Sequence, residues 1–272
     1  MRRPLLLLPA LAASAALVAA GCGGDDTAQN TTTAATTTSG TTTSGTTTSP
    51  PPTTTDQGPF LPDLPTPQLD DQARFPRPTT VGSGDVGTPA PPIAPAVRNA
   101  ARRAGCTVRG FPSEGRQHVE PDAAPDYGTQ PPTSGNHFEV PAKFGAYDKP
   151  VPEMPIVHSL EHGGVVISVG RDVPAAARAE IGRFWADSPP YMIVMPGRSS
   201  GFPAAGVVVT SWQRWLVCKP YESSDLAAIR AFRDAYRGTG PEGSAALHSG
   251  GRVPYPGTPE PIAEDPGAAS AG

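Results

Sequence analysis

Two long stretches of this chain cannot build a hydrophobic core, and they decide where a fold can lie. From Thr27 to Thr55 the residues are almost only Thr, Ser, Gly, Ala and Pro. From Gln57 to Pro95 the chain is Pro-rich with scattered apolar residues. Neither stretch can bury enough apolar surface to offset its ordering entropy. Together with Cys22 they form an expected disordered stalk over 22–97, with an end-to-end reach of roughly 50 Å for a flexible coil. Its Thr/Ser tract could carry O-linked sugars. After Pro241 the composition returns to Gly, Pro, Ala and Ser, so 243–272 reads as a disordered tail. One globular domain is expected between them, over 98–242, long enough for one core.

The N-terminus reads as an export signal over 1–21. Arg2 and Arg3 supply positive charge, and Pro4 to Ala20 is an apolar run ending in small residues. A spanning helix needs roughly 20 apolar residues, so a cleavable signal fits better. Ala19-Ala20-Gly21-Cys22 resembles a bacterial lipobox, with Ala19 where Leu is usual. This makes Cys22 the expected lipidation site; ordinary secretion with an incidental Cys is the alternative. The expected location is extracytoplasmic, with the lipid as the only membrane attachment. A net charge of −4 gives no nucleic-acid signature.

Cys106 and Cys218 are then the remaining thiols of an exported domain, and a disulfide between them is expected. Two buried thiols or soft metal ligands are the alternative.

Periodicity within the domain predicts an α+β fold. Ala96 to Ala104 reads as a short helix, and Gly105 to Pro155 as an ordered but irregular Gly/Pro-rich region. Val165 to Val169 is a β-branched strand. Asp172 and Pro174 can start a helix whose Ala177, Ile181, Phe184 and Trp185 share a face, with Arg178 and Arg183 elsewhere. Tyr191 to Met195 and Val207 to Val217 read as two further strands. Ser223 or Ser224 can cap a last helix with Leu226, Ile229, Phe232 and Tyr236 inward, ended by Gly238. The order β-α-β-β-α implies a small sheet covered by helices.

The chemistry concentrates in the irregular region. The chain has five histidines, and His118, His137, His158 and His162 fall close together in sequence. Imidazole binds metals when neutral. His158 and His162 are spaced to share a face of one helical turn, which Gly163-Gly164 should end. Such a set suits Zn, Cu or Ni, and no Asp-rich loop suits Ca. Glu161 could be a further ligand, a partner that orients a His, or a base. The alternative is that these are ordinary polar residues fixing irregular loops. His-x-x-Glu-His also matches the inverted-zincin protease motif, but that motif needs a sustained helix, and Gly163-Gly164 stops this one. Ser134 lies in no Gly-x-Ser-x-Gly elbow and reads as loop wiring.

The same residues carry a resemblance. Tyr127, the run Gln130-Pro131-Pro132-Thr133-Ser134-Gly135-Asn136-His137, Gly145-Ala146-Tyr147, and Val157 to Val166 are similar to the domain of unknown function 3105 family. His118-Val119, Thr210, Trp212, Cys218 and Pro241-Glu242 also fit its pattern. Asn136 stands where the family usually has Pro, and Gly145-Ala146 where it has Gly-Val. The resemblance spans about Gly105 to Glu242. It implies no activity.

The expected function is therefore an extracytoplasmic, lipid-anchored domain that binds a transition metal, copper or zinc, for storage, delivery or sensing. A structural or interaction module of the cell envelope is the alternative, and a metal-dependent hydrolase the third. No catalytic residue is assigned.

Overall fold

The computed structural model describes residues 59–68, 79–80, 84–123, 125–187, 190–198, 201–242 and 253–265. The signal segment, Cys22 and the Thr-rich tract lie outside the described residues. The described residues form an α+β fold with four helices and a mixed, open sheet of seven strands. The helices are α1 (Pro95–Ala104), α2 (Glu153–Glu161), α3 (Ala175–Ala186) and α4 (Leu226–Tyr236). The sheet uses β2 (Thr107–Gly110), β3 (Gly145–Ala146), β4 (Val165–Val169), β5 (Met192–Pro196), β6 (Val207–Ser211), β7 (Arg214–Cys218) and β9 (Ala263–Glu264). Their spatial order is β2-β7-β6-β4-β5-β3-β9. The β3-β5-β4 segment is parallel, and the other pairs are antiparallel. A separate parallel pair joins β1 (Thr79–Thr80) to β8 (Thr239–Gly240).

Strand alternation splits the apolar residues into two cores, one on each face of the sheet. Val165, Ile167 and Val169 of β4 join Met192, Val194, Val207 and Val209 beneath Val97, Ile181, Trp185, Ile229 and Phe232. The α1, α3 and α4 helices therefore cover this face. Val166, Ile193 and Met195 point the other way and pack with Ile156, Val157 and Leu160 of α2 and with Phe144 and Tyr147. Every residue of β4 is buried, as a central strand covered on both faces requires. Each such Val, Leu or Ile contributes about 1.5–3 kcal/mol on burial. This anchors α2 firmly against the sheet.

Several expectations need correction. The run Val207 to Val217 is a hairpin, not one strand, and turns at Trp212-Gln213. That dipeptide lacks the Asn-Gly or Asp-Gly signal of tight hairpins. Gln213 takes φ 60°, and distant partners hold it: its N–H donates to Thr133 O (2.8 Å) and its Nε2 to Thr88 O (2.7 Å). Arg178, off the apolar face of its helix, is nevertheless buried, and its guanidinium donates to Phe60 O and Val173 O. Neither Ser223 nor Ser224 caps the last helix. A short 3-10 turn precedes α4, and Glu222 forms a capping box with Asp225. The irregular region also holds β2, β3 and the start of α2.

The stalk and tail boundaries narrow as well. Leu61 is buried in the first core, with Phe60 and Leu64 against it, and α1 already begins at Pro95. Beyond the Gly/Ser-rich segment, residues 253–265 supply β9, which pairs with β3. Lys143 reaches Glu260 at 2.8 Å and Glu264 at 3.2 Å, and Asp265 is buried. Composition does not reveal such docking, because two-residue edge pairing needs almost no periodic pattern.

Cys106 and Cys218 are disulfide-bonded. The β2–β7 ladder explains the contact: Thr107 stands opposite Val217, so the next residues outward meet. The bond closes the open end of an edge pairing and lies on the first core, where Cys218 is buried.

Candidate metal centre

The site is built around α2. Pro152 precedes the helix, and Pro155 falls in its first turn, where a missing N–H is tolerated. From Met154 to Glu161 every residue is buried, so this helix has no solvent-facing stripe. It ends where backbone must approach backbone. Gly163 takes φ 82°, and a Cβ there would meet the Gly238 carbonyl carbon at 2.7 Å. Gly240 packs still more closely on the Glu161 carbonyl, and Gly238 N–H donates to Gly163 O at 2.8 Å. The Gly163-Gly164 pair thus both terminates α2 and lets residues 238–242 cross its end.

Two further segments bring imidazoles over this helix end. His118 and His137 form an isolated parallel bridge. Val119 N–H donates to His137 O (2.8 Å), and His137 N–H donates to Gln117 O (2.9 Å). Asn136 Oδ1 accepts from Gln117 N–H, and Tyr127 donates its hydroxyl proton to Asn136 O. These bonds fix the Gly135-Asn136-His137 turn. Gly135 has φ 128°, and a Cβ there would strike the Tyr127 ring at 2.7 Å.

The rings converge. Centroids of His118 and His137 are 5.2 Å apart, of His118 and His158 4.9 Å, and of His137 and His158 4.7 Å. One ligand atom from each of His118, His137, His158 and Glu161 lies within 4.8 Å of the others. His118 is exposed, while the other three are buried. The fold also sets the tautomers. A carbonyl oxygen only accepts, so His137 Nδ1–H donates to Gly135 O (2.8 Å) and His158 Nδ1–H to Phe138 O (2.7 Å). Each Nε2 is then the ring nitrogen left for a further partner, as in metal sites whose other ring nitrogen is held by a carbonyl. His137 Nε2 faces Glu161 Oε2 at 3.0 Å, with neither atom in a regular hydrogen bond.

His158 is held neutral. Burial is the main cause, and the neighbouring His137 and His162 add to it, pushing its pKa from 6.5 down to about 2. The sign of the consequence is definite. Unfolded chains bind this proton near the ordinary value, and the metal-free fold does not. Stability attached to His158 is therefore present above about pH 6.5 and is lost as pH falls toward 2, at up to about 1.4 kcal/mol per pH unit. Between pH 7 and pH 5 the metal-free domain should lose about 2 kcal/mol from this residue. Urea unfolding at both values tests it, with His158→Asn as reference. An identical pH response in wild type and variant rules the effect out.

The mutually close group holds three of the four expected histidines, together with the residue expected as a further ligand or orienting partner. Glu161 stands within it. His162 lies alongside, its ring stacked on His158 at 4.7 Å, but its nitrogens are outside the set of mutually close ligand atoms. The helix explains this: α2 ends at Glu161, and His162 is its C-cap. His158 and Glu161, three apart, share a helical face. The protease reading needs two histidines on the metal and a free Glu as base, so this arrangement runs against it. Sequence reasoning missed Arg116, whose Nη1 is 3.5 Å from Glu161 Oε1 and 3.1 Å from Glu242 Oε1. No local pattern signals contacts that distant in sequence.

A cleft of about 630 Å³ elsewhere is lined by residues including Phe60, Asp148, Arg171 and Arg178, and by none of the cluster. Among the described residues, a second group with metal-ligand residue types, Cys106, Cys218 and Asp225, has its thiols taken by the disulfide.

Residues 118–249 match the family model described as protein of unknown function (DUF3105), and over that span the chain is a domain of this family. The match begins at His118, later than the motifs alone implied, and contains all the cluster residues. No curated protein and no solved structure matches the chain.

Proposed function

We propose that this domain binds one divalent transition-metal ion through His118, His137, His158 and Glu161, and that the protein stores, delivers or senses that metal outside the cytoplasm. The observation that carries this reading is the pair His137 Nε2 and Glu161 Oε2. Both atoms are buried, neither makes a regular hydrogen bond, and they stand 3.0 Å apart. Burying such a pair without bonded partners is unfavourable, and a cation or a proton between the two atoms relieves it. A proton would serve this pair alone. An ion would also take the lone pair of His158 and the nearby His118. Ligand atoms of a tetrahedral ion with bonds of about 2.0–2.1 Å stand about 3.4 Å apart. From the 4.8 Å limit of the cluster, the ligand atoms need to draw together by at most about 1.4 Å. A set of three imidazoles and a carboxylate suits Zn(II) or Cu(II) better than Cu(I), which prefers softer sulfur.

The test is titration of the disulfide-bonded, chelator-stripped protein with Zn(II) and with Cu(II), followed by calorimetry. One ion per chain is expected, with affinity falling as protons compete for the imidazoles at lower pH. Absence of uptake for both ions would overturn the reading.

Attachment through lipidated Cys22 is part of the same proposal. The signal-like run and the tetrapeptide ending at Cys22 support it, and the disulfide fits an oxidising compartment. Among the described residues no helix is long and apolar enough to cross a membrane. Cys22→Ser should leave unprocessed precursor or release soluble protein. Normal maturation and unchanged membrane partition of that variant would count against the anchor.

A further inference from the structure

Glu161 has two carboxylate oxygens with different surroundings. Oε2 faces His137 Nε2 inside the cluster. Oε1 faces Arg116 Nη1 at 3.5 Å. The guanidinium is itself tethered by Glu242 Oε1 at 3.1 Å. The tether is anchored by backbone, since Glu242 N–H donates to Glu161 O at 3.4 Å as residues 238–242 cross the helix end. The Arg116 stem is confined too. A Cβ at Gly84 would stand 2.6 Å from Arg116 Cδ, so this glycine permits the side chain to lie where it does. Arg116 and Glu242 are about one-third exposed, whereas Glu161 is fully buried. A buried carboxylate with no charge partner is costly, and Arg116 is the cation that meets this one.

We propose that Arg116, held by Glu242, is a positioning residue that occupies one oxygen of Glu161 and leaves only the other to the metal. This rests on the metal reading above. A carboxylate can bind an ion through one oxygen or both, and a guanidinium on Oε1 forbids the second mode. The consequence is a fixed, low coordination number and an unstrained Glu161 in the metal-free state. Lysine in place of Arg116 keeps a cation for Oε1. Methionine keeps the stem and removes the charge, freeing Glu161 to grip the ion with both oxygens.

Co(II) is the probe, because its visible absorption weakens when coordination rises from four to five. Wild type, Arg116→Lys and Arg116→Met are each loaded with one equivalent and their spectra compared, with thermal unfolding as a check on folding. A severalfold fall in absorptivity is expected in Arg116→Met, with Arg116→Lys close to wild type. A merely structural role would alter melting and leave the spectrum of the bound ion unchanged. Should Arg116→Met not fold, Glu242→Gln, at a partly exposed site, gives a smaller shift in the same direction. Bound Co(II) with wild-type spectra in every folded variant overturns the role of Arg116 and leaves the metal site standing. Wild type that takes up no Co(II), Zn(II) or Cu(II) overturns the metal reading and this inference with it.

Discussion

Replacing His137 by Ala is expected to weaken metal binding by roughly 10²–10³-fold, while His118→Ala weakens it much less. Four-ligand zinc sites are worth about 10–16 kcal/mol, so one ligand carries roughly a quarter, about 2.5–4 kcal/mol. His137 is fully buried and its Nε2 faces Glu161, so no water can take its place without entering the core. His118 is exposed, and a solvent molecule can occupy its coordination position once the ring is gone. The asymmetry gives the second readout. Free imidazole should restore much of the lost affinity to His118→Ala and little to His137→Ala, because only the former leaves an opening to solvent. Titration of both variants with Zn(II), with and without imidazole, measures this. Equal losses in the two, with no rescue, would exclude a site loaded from the His118 edge. The same asymmetry suits storage or delivery, since an ion closed off on every side exchanges slowly.

Which side chains cluster was legible in the sequence; which of them form the mutually close set was not. His158 and His162 look equivalent by spacing, and Gly163-Gly164 marks the end of their turn. Ring direction, however, is set by Phe138 O accepting from His158 Nδ1, a contact twenty residues away in sequence. That bond and the end of α2 at Glu161 place Glu161 in the group and leave His162 beside it. The fold shows the same division. β4, α3 and α4 were readable because long apolar patterns follow their period. The Trp212-Gln213 turn was not, because its geometry comes from Thr133 and Thr88 rather than from its own residues. Strands β3 and β9 are two residues each, too short for any pattern, yet they form one edge of the sheet.

Removing the disulfide should cost a third or more of the domain's stability and leave its metal affinity intact in the folded fraction. Cys106 and Cys218 are separated by 112 residues, and closing a loop of that length stabilises by about 4–5 kcal/mol in the chain-entropy model. Small domains have only about 5–15 kcal/mol in total. The bond also secures a weak place, because β2 is an edge strand that pairs only with β7 within the sheet. Without it, α1 and β2 are held by packing against α4 and the first core and by one ladder. The metal cluster is on the other face, with α2 and the second core, so its geometry does not depend on the sulfurs. The Cys106→Ser/Cys218→Ser double variant should therefore unfold at much lower urea, and saturating Zn(II) should recover part of the loss. Mass action supplies about 2.7 kcal/mol when free ligand is a hundredfold above its Kd. Recovery by metal ties the two observations together, since only a folded site can bind. An unchanged urea midpoint in the double variant would show that the cross-link contributes nothing, and a midpoint that metal does not raise would separate the cluster from folding.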